Sequence, residues 1–218
     1  MRKVLVVFAL GSVPAWPAPA MAQLGSATPA QRYAACLMER RAGDVGQLMR
    51  TSDIGIAQRI HRGLADDSAC FARTFGDQPY DPRQVAMSMD MLRGRIAEQA
   101  LLSKPDQIEA LQALPLQQKR YLRPWFAATG RNPSVDEMAA CMSDTDPAGI
   151  VELIQTPSAS SAESSQIAAM APSLTKCLSA GTRLEADCPA LRAALADALY
   201  QRVNNPMLSA PQAQEAPK

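Results

Sequence analysis

Apolar residues recur three or four positions apart through most of the chain, which is the spacing of one face of a helix. The clearest runs, with an apolar residue at every fourth position, are Leu92, Ile96 and Ala100 and then Leu191, Leu195 and Leu199. β-Branched residues do not alternate with polar ones over any stretch long enough to suggest a strand. Good helix formers are abundant, and only 5% of the residues are aromatic. The pattern therefore predicts an all-α protein.

Local signals predict where several of these helices begin and end. Capping patterns, in which a side chain accepts a hydrogen bond from the first turn, occur at Thr28–Gln31, Ser134–Glu137, Asp146–Pro147 and Ser160–Glu163. Proline is a poor residue for a helix interior, so Pro172 is expected to end the helix that follows the last of these patterns. A further helix is expected over Pro105–Leu114, with Pro115 as its stop.

Four blocks of sequence occur twice, in the same order. The matched blocks are Ala34–Leu37 with Ala139–Met142, Leu48–Thr51 with Leu153–Thr156, Ile60 and Cys70 with Ile167 and Cys177, and Leu92–Glu98 with Leu191–Asp197. The offset is 105, then 107, then 99 residues, so short insertions separate the blocks. We therefore expect an internal duplication, with helical module 1 over 23–102, a connector over 103–133 and helical module 2 over 134–205. Chance similarity between two Ala-rich helical segments is the alternative.

The first 22 residues have the composition of a secretory signal peptide. Arg2 and Lys3 precede a short apolar run, Val4–Leu10, and Ala20–Ala22 provides a cleavage site of small residues. The apolar run is much shorter than the roughly 20 residues of a membrane-spanning helix, which argues against a membrane anchor. We expect cleavage after Ala22 and a periplasmic or secreted protein with no transmembrane segment after cleavage.

Five cysteines lie beyond the signal peptide, in a compartment where oxidation favours disulfides. Cys36 and Cys70 are 34 residues apart, Cys141 and Cys177 are 36 apart, and the two pairs occupy matched positions. Two equivalent intramodule disulfides are therefore expected, with buried free thiols as the alternative. Cys188 is left as a free thiol that is buried, reactive or able to link two chains into a dimer. The sequence has no C-x-x-C motif and no zinc-ligand spacing.

Charge is distributed unevenly, although the whole chain carries a formal charge of only +1. The connector holds five basic and two acidic residues, whereas module 2 holds four basic and nine acidic residues. Basic and aromatic residues cluster in the connector as a possible interaction surface, Lys119, Arg120, Tyr121, Arg123, Trp125 and Phe126. Trp125 and Phe126 could instead be core anchors, and the basic connector could simply complement the acidic module. A nearly neutral chain argues against nucleic acid as a partner.

Arg93 and Glu98 in module 1 match Arg192 and Asp197 in module 2. An arginine near the start of a helix opposes the helix dipole, so another group must hold it in place. We expect a structural brace between helices, made with a carboxylate or with free carbonyl groups of the same module, rather than a ligand contact.

Module 2 carries a pattern that resembles a group of uncharacterised exported proteins of alphaproteobacteria. The residues that carry it are Cys141, Leu153, Thr156, Cys177, Leu178, Leu191, Arg192, Ala196, Asp197, Leu199 and Tyr200. Module 1 departs from the pattern at Gly94 and Gln99, and the connector and the tail are not covered. The resemblance implies an exported protein built from a duplicated two-cysteine helical module, and it assigns no activity.

These features favour a non-catalytic exported protein that binds an unknown protein or envelope component, with no cofactor and no catalytic residues. The alternatives are a periplasmic hydrolase that uses carboxylates such as Asp66, Asp67 or Glu98, and a small stress chaperone with exposed methionines at Met87, Met89 and Met91. The only histidine, His61, excludes a metal site with several histidines and is interpreted as a solvated helix-surface residue. The tail, 206–218, has little to bury and is expected to be disordered.

Overall fold

The computed structural model describes residues 27–76, 87–117, 121–178 and 187–206. Those residues form ten α-helices and one 3₁₀ helix and contain no strand, so the all-α prediction is confirmed. The predicted signal peptide, all but the first residue of the predicted tail, and Lys119 and Arg120 lie outside the described residues. No helix in the described part of the chain is both long and apolar enough to cross a membrane.

The first half of the structure contains five helices. They are α1 (Pro29–Arg40), α2 (Ala42–Arg50), α3 (Ile54–Ala65), α4 (Ser68–Phe75) and α5 (Met89–Leu102). The predicted capping box at Thr28 is present, since the Thr28 hydroxyl accepts from the Gln31 amide and the Gln31 side chain accepts from the Thr28 amide. Asp67 lies between α3 and α4 and caps the N-terminus of α4. Gly76 ends α4 and has a positive φ of 71°.

The connector and the second half contribute the remaining elements. They are α6 (Pro105–Glu109), the 3₁₀ helix (Pro124–Ala128), α7 (Pro133–Thr145), α8 (Pro147–Gln155), α9 (Ser161–Cys177) and α10 (Cys188–Asn204). Asp146 and Ser160 cap α8 and α9 as predicted, because their side chains accept from the backbone amides of Gly149 and Glu163.

The start of α7 and the end of the connector helix differ from the predictions. The cap of α7 is Asn132 rather than Ser134, because Pro133 occupies the first helical position and the Asn132 side chain accepts from the Ser134 amide. Glu137, the predicted partner of Ser134, is buried. The connector helix ends at Glu109, well before Pro115. Its later backbone groups bond elsewhere, since the Leu114 amide donates to the Asp144 carbonyl at 2.6 Å.

Pro172 does not end its helix, and α9 continues through it to Cys177. Proline removes one hydrogen bond from the helix interior. The last turn is nevertheless held against the core, because Leu174 is buried and Cys177 is bonded to Cys141 on α7. Tertiary contacts therefore outweigh the local preference of the proline.

Two disulfides fasten the outer helices to each other, as the sequence predicts. Cys36 on α1 is bonded to Cys70 on α4, and Cys141 on α7 is bonded to Cys177 on α9, with Cα atoms 5.6 Å apart in both. Cys188 is exposed and unpaired at the start of α10. Intramolecular disulfides of this kind are typical of proteins in oxidising compartments.

The core is centred on the crossing of α5 with α10. Every residue of Leu92–Glu98 and of Leu191–Leu199 is buried, so neither helix has the single apolar face that the periodicity predicts. Ala100, which was expected on that face, is only half-buried. Helix α1 packs on α5 and helix α7 packs on α10, while α4 and α9 form the next layer against α1 and α7. Both central helices are therefore enclosed by helices rather than by solvent.

Glycine is required at the point where the two central helices meet. A Cβ atom placed on Gly94 would lie 2.3 Å from the Cβ, 2.4 Å from the Cα and 2.7 Å from the carbonyl oxygen of Ala193. Two of these atoms belong to the backbone and cannot rotate away. Gly94 and Ala193 are also the matched positions of the two sequence blocks, so the helices cross at equivalent residues.

We predict that Gly94→Ala lowers the free energy of unfolding by about 3 kcal/mol, because a methyl group at the crossing pushes two packed backbones apart. Urea denaturation followed by circular dichroism measures the change. Gly43→Ala on α2 is the matched control, since nothing lies within 4 Å of a Cβ at that position. The control is expected to keep or slightly raise the stability. Equal stability of Gly94→Ala and wild type would contradict the close approach.

Candidate functional site

Arg93 is a fully buried cation on α5. Its guanidinium donates to both carboxylate oxygens of Asp197 on α10, from Nε at 2.9 Å and from Nη2 at 3.2 Å. Nη1 donates to the Leu48 carbonyl at 2.5 Å. Leu48 lies in the last turn of α2, where carbonyl groups have no donor within the helix. Arg93 therefore joins α2, α5 and α10.

Arg192 on α10 makes the equivalent contacts, with its carboxylate partner on α5 and its carbonyl partner in the second half. It donates to both oxygens of Glu98 on α5, from Nη2 at 2.6 Å and from Nε at 3.2 Å, and from Nη1 to the Leu153 carbonyl at 3.0 Å. Leu153 lies in the last turn of α8 and is the sequence match of Leu48. The carbonyl partners come from the same half of the chain, as expected. Asp197 and Glu98 come from the other half, but Arg192 also pairs with Glu163 of its own half at 3.4 Å. Of the two arginines, only Arg93 therefore takes its carboxylate solely from outside its own module.

Each of these pairs is completed by a second arginine and a second carboxylate. Arg131 lies between Asp197, at 3.0 Å, and Asp136, at 3.1 Å. The first crossing cluster is Arg93, Arg131, Asp136 and Asp197, and the second crossing cluster is Arg95, Glu98, Glu163 and Arg192. Each cluster has two positive and two negative groups. Neutral clusters avoid the cost of an unpaired buried charge, which is several kcal/mol.

The two carboxylates of the first crossing cluster have opposite pKa shifts. Burial alone would raise the pKa of Asp197, but Arg93 and Arg131 hold it below its ordinary value. Burial raises the pKa of Asp136 to about 6, since Arg131 and the hydroxyl of Thr129 offset only part of the desolvation. Asp136 is therefore the group of the cluster whose charge changes near neutral pH.

The four described residues of the predicted interaction surface are turned largely into the core. Tyr121, Arg123 and Trp125 are buried, and the guanidinium of Arg123 pairs with Asp144 at 3.3 Å. Phe126 is half-buried and packs edge-on against Trp125, with ring centroids 4.6 Å apart. The aromatic residues therefore serve as core anchors, which was the alternative interpretation. Burial excludes the three buried side chains from a docking surface.

The acidic character of the second half is also largely internal. Five of its nine carboxylates are buried, namely Asp136, Glu137, Asp144, Glu163 and Asp197. Four of the five pair with arginines, and those arginines include Arg123 and Arg131 of the connector. Arg123 and Arg131 of the connector therefore neutralise carboxylates of the second half inside the molecule.

The residues considered for catalysis are occupied by structural bonds or lie apart. Asp67 caps α4 and pairs with Arg41, and Glu98 is bonded within the second crossing cluster. Asp66 is exposed. His61 is half-buried rather than fully solvated, and its Nε2 atom bonds to the Met87 carbonyl at 2.9 Å. Within the residues that the structure describes, no group of three or more His, Cys, Asp or Glu side chains could hold a metal ion.

The methionines proposed as a chaperone surface are not fully exposed. Met87, Met89 and Met91 are each half-buried, and the first two pack against the core. Large exposed apolar side chains occur instead at Leu114 and Leu116 of the connector, which are 45% and 51% exposed.

A shallow depression beside the connector is the best candidate for a contact site. Its volume is about 240 Å³, and it is lined by Leu114, Leu116, Thr145, Ser173 and Lys176. We call it the connector depression. The side chains of Ser173 and Lys176 make no hydrogen bond or ion pair with any other described residue. One feature of the sequence points to this site, namely the apolar Leu114-Pro115-Leu116 within a Gln-rich stretch. The helix predicted over Pro105–Leu114 placed Leu114 wrongly, because the helix ends at Glu109.

Comparisons of the chain with protein-family models, with curated proteins and with solved structures find no match. Only the geometry of the crossing clusters and of the connector depression therefore indicates a function.

We predict that Asp136 makes the protein more stable as the pH falls from 7 to 4. The raised pKa means that the folded state takes up a proton in this range before the unfolded state does, so the free energy of unfolding increases by on the order of 1–3 kcal/mol. Asp136→Asn should remove this part of the pH dependence in urea titrations at several pH values. Asp106→Asn, at an exposed position, is the control and should retain it. Equal slopes for all three proteins would contradict the prediction.

Proposed function

We propose that the protein is an exported, non-catalytic helical protein that binds another protein of the cell envelope through the connector depression. The predicted signal peptide and the two disulfides support export into the periplasm or beyond. The buried arginines and carboxylates support a non-catalytic role, because they are bonded to one another in neutral clusters and do not face the depression.

The observation that carries the proposal is the exposure of two leucines on a segment that is held in place. The Leu114 amide donates to the Asp144 carbonyl, which holds Leu114 against α7. Arg202 on α10 donates to the Gln112 carbonyl at 2.6 Å and restrains the same segment. Leucines on a restrained backbone lose little conformational entropy on binding, so they can contribute apolar contact area efficiently. Neighbouring Leu116 extends the apolar rim.

The charge at the depression indicates the chemistry of the partner. Lys176 lines it without an ion-pair partner among the described residues, and Lys119 and Arg120 follow the connector leucines closely in the sequence. A partner segment with leucine-like side chains and an adjacent carboxylate would match both features. An acidic and apolar protein segment is therefore the occupant that we propose.

We predict that a fluorescein-labelled peptide with two leucines flanked by glutamates binds at least tenfold more tightly than one with the same leucines flanked by lysines. Fluorescence polarisation measures both affinities. Leu114→Ser combined with Leu116→Ser should weaken binding of the acidic peptide at least tenfold, because the apolar rim is lost. Lys176→Glu should reverse the preference between the peptides.

The matched control combines Ile54→Ser with Leu102→Ser, since these leucine-sized side chains are exposed but do not line the depression. This control should bind the acidic peptide as the wild type does. Equal affinities for the two peptides, unchanged binding after loss of both connector leucines, or no binding at roughly 1 mM peptide would overturn the proposal.

A further inference from the structure

The two disulfides differ in how far they are shielded from solvent. Cys36, Cys70 and Cys141 are buried, with at most 3% of each residue exposed, whereas Cys177 is only half-buried. Cys177 is the last residue of α9 and follows the exposed Lys176. A thiolate must reach a sulfur atom to break a disulfide. Cys177 is therefore the one of the four bonded cysteines at which a reductant can attack without unfolding the surrounding helices.

Cys177 also lies beside the connector depression. The hydroxyl of Thr145, which lines the depression, is 3.6 Å from the Cys177 sulfur. Lys176 lines the depression too, and it has no ion-pair partner among the described residues. A positive charge near a cysteine favours thiolates over thiols. The depression is therefore an approach to the Cys141–Cys177 bond that attracts the reactive form of a reductant.

The last turn of α9 depends on this disulfide. Pro172 removes a backbone hydrogen bond from the helix, so the turn that follows is held by the burial of Leu174 and by the bond from Cys177 to Cys141. Two of the residues that line the depression belong to this turn. Without the disulfide, the burial of Leu174 is left to hold the turn, and this wall of the depression can move away from α7.

We propose that the Cys141–Cys177 disulfide is a reversible site of thiol–disulfide exchange, at which a dithiol attacks Cys177 and thereby opens one wall of the connector depression. In the reduced protein the depression no longer holds its partner tightly. This effect on binding rests on the proposed function, whereas the reaction at the disulfide does not.

The reaction has two steps. The thiolate of the dithiol bonds to the Cys177 sulfur, and the electron pair of the broken bond passes to Cys141, which takes up a proton. The second thiol of the reductant then loses its proton and attacks the reductant's own sulfur in the mixed disulfide, and the released Cys177 takes up a proton. The dithiol leaves as a disulfide, oxidised by two electrons, and both of its protons end on the two cysteines.

The test follows both disulfides of the folded protein in dithiothreitol. Cys188 is first blocked with N-ethylmaleimide, since it is exposed and unpaired. Samples taken over time are quenched, unfolded in urea and alkylated, and mass spectrometry measures the alkylated fraction of each cysteine. Cys141 and Cys177 should become reduced at least tenfold faster than Cys36 and Cys70. Equal rates, or faster reduction of the Cys36–Cys70 pair, would overturn the proposal.

Lys176→Glu tests the route of attack. A negative charge at the depression repels a thiolate, so reduction of Cys141–Cys177 should slow at least threefold. Lys104→Glu, at another exposed position of the chain, is the matched control and should react as the wild type does. The same rate in Lys176→Glu and wild type would show that the reductant does not approach through the depression.

The effect on the depression is measured on protein in which only Cys141–Cys177 is reduced. Affinity for the acidic leucine peptide should fall at least tenfold and return after reoxidation, and unchanged affinity would overturn the link. If the oxidised protein does not bind the peptide either, the proposed function fails and hydrogen exchange decides the present proposal. Amides of residues 173–177 should then exchange at least tenfold faster after reduction, and equal exchange would overturn it.

Discussion

Two fully buried arginines, Arg93 and Arg192, determine how the two central helices pack. A buried guanidinium costs several kcal/mol unless a carboxylate and further hydrogen-bond acceptors surround it. Here the carboxylate that each arginine binds through two nitrogens lies on the other central helix, so α5 and α10 must be in contact before these two pairs form. A buried ion pair often adds little net stability, but it can specify one arrangement over others. The reciprocal ion pairs between α5 and α10 therefore specify how the two helices are aligned where they cross. Gly94 permits the close approach that this alignment requires.

The buried ion pairs also determine which charged and apolar side chains are left on the surface. The crossing clusters and the Arg123–Asp144 pair use two basic residues of the connector and four of the nine carboxylates of the second half. Arg202, which lies on the central helix α10, binds the connector backbone and so fixes the exposed leucines relative to the core. A contact site at the connector depression is consequently held by the crossing itself. The buried charges are structural, and the recognition that we propose would use the apolar rim of the connector depression together with Lys176.

Features encoded by neighbouring residues could be predicted from the sequence, and features decided by distant contacts could not. Helical periodicity and the capping box at Thr28 are of the first kind. The disulfide pairing joins distant residues and could be predicted only because the two cysteine pairs occupy matched positions. The burial of Trp125 depends on which helices cover it, and the continuation of α9 through Pro172 depends on a disulfide to another helix. The arginines were recognised as a brace, but residue type alone does not state which half supplies the carboxylate. The connector depression was missed because its backbone bonds with α7 and α10 replace the predicted helix.

A double-mutant cycle on Arg192 and Glu98 measures how strongly the two central helices are coupled through this buried pair. Arg192→Met and Glu98→Met are each expected to lower the free energy of unfolding by about 3–5 kcal/mol, because each removes the bidentate partner of a buried charge and leaves the cluster with unequal numbers of positive and negative groups. Chains with both substitutions should lose much less than the sum, with a coupling energy of about 2 kcal/mol or more in urea denaturation. Additive losses, to within about 0.5 kcal/mol, would show that the two groups act independently and would contradict the account.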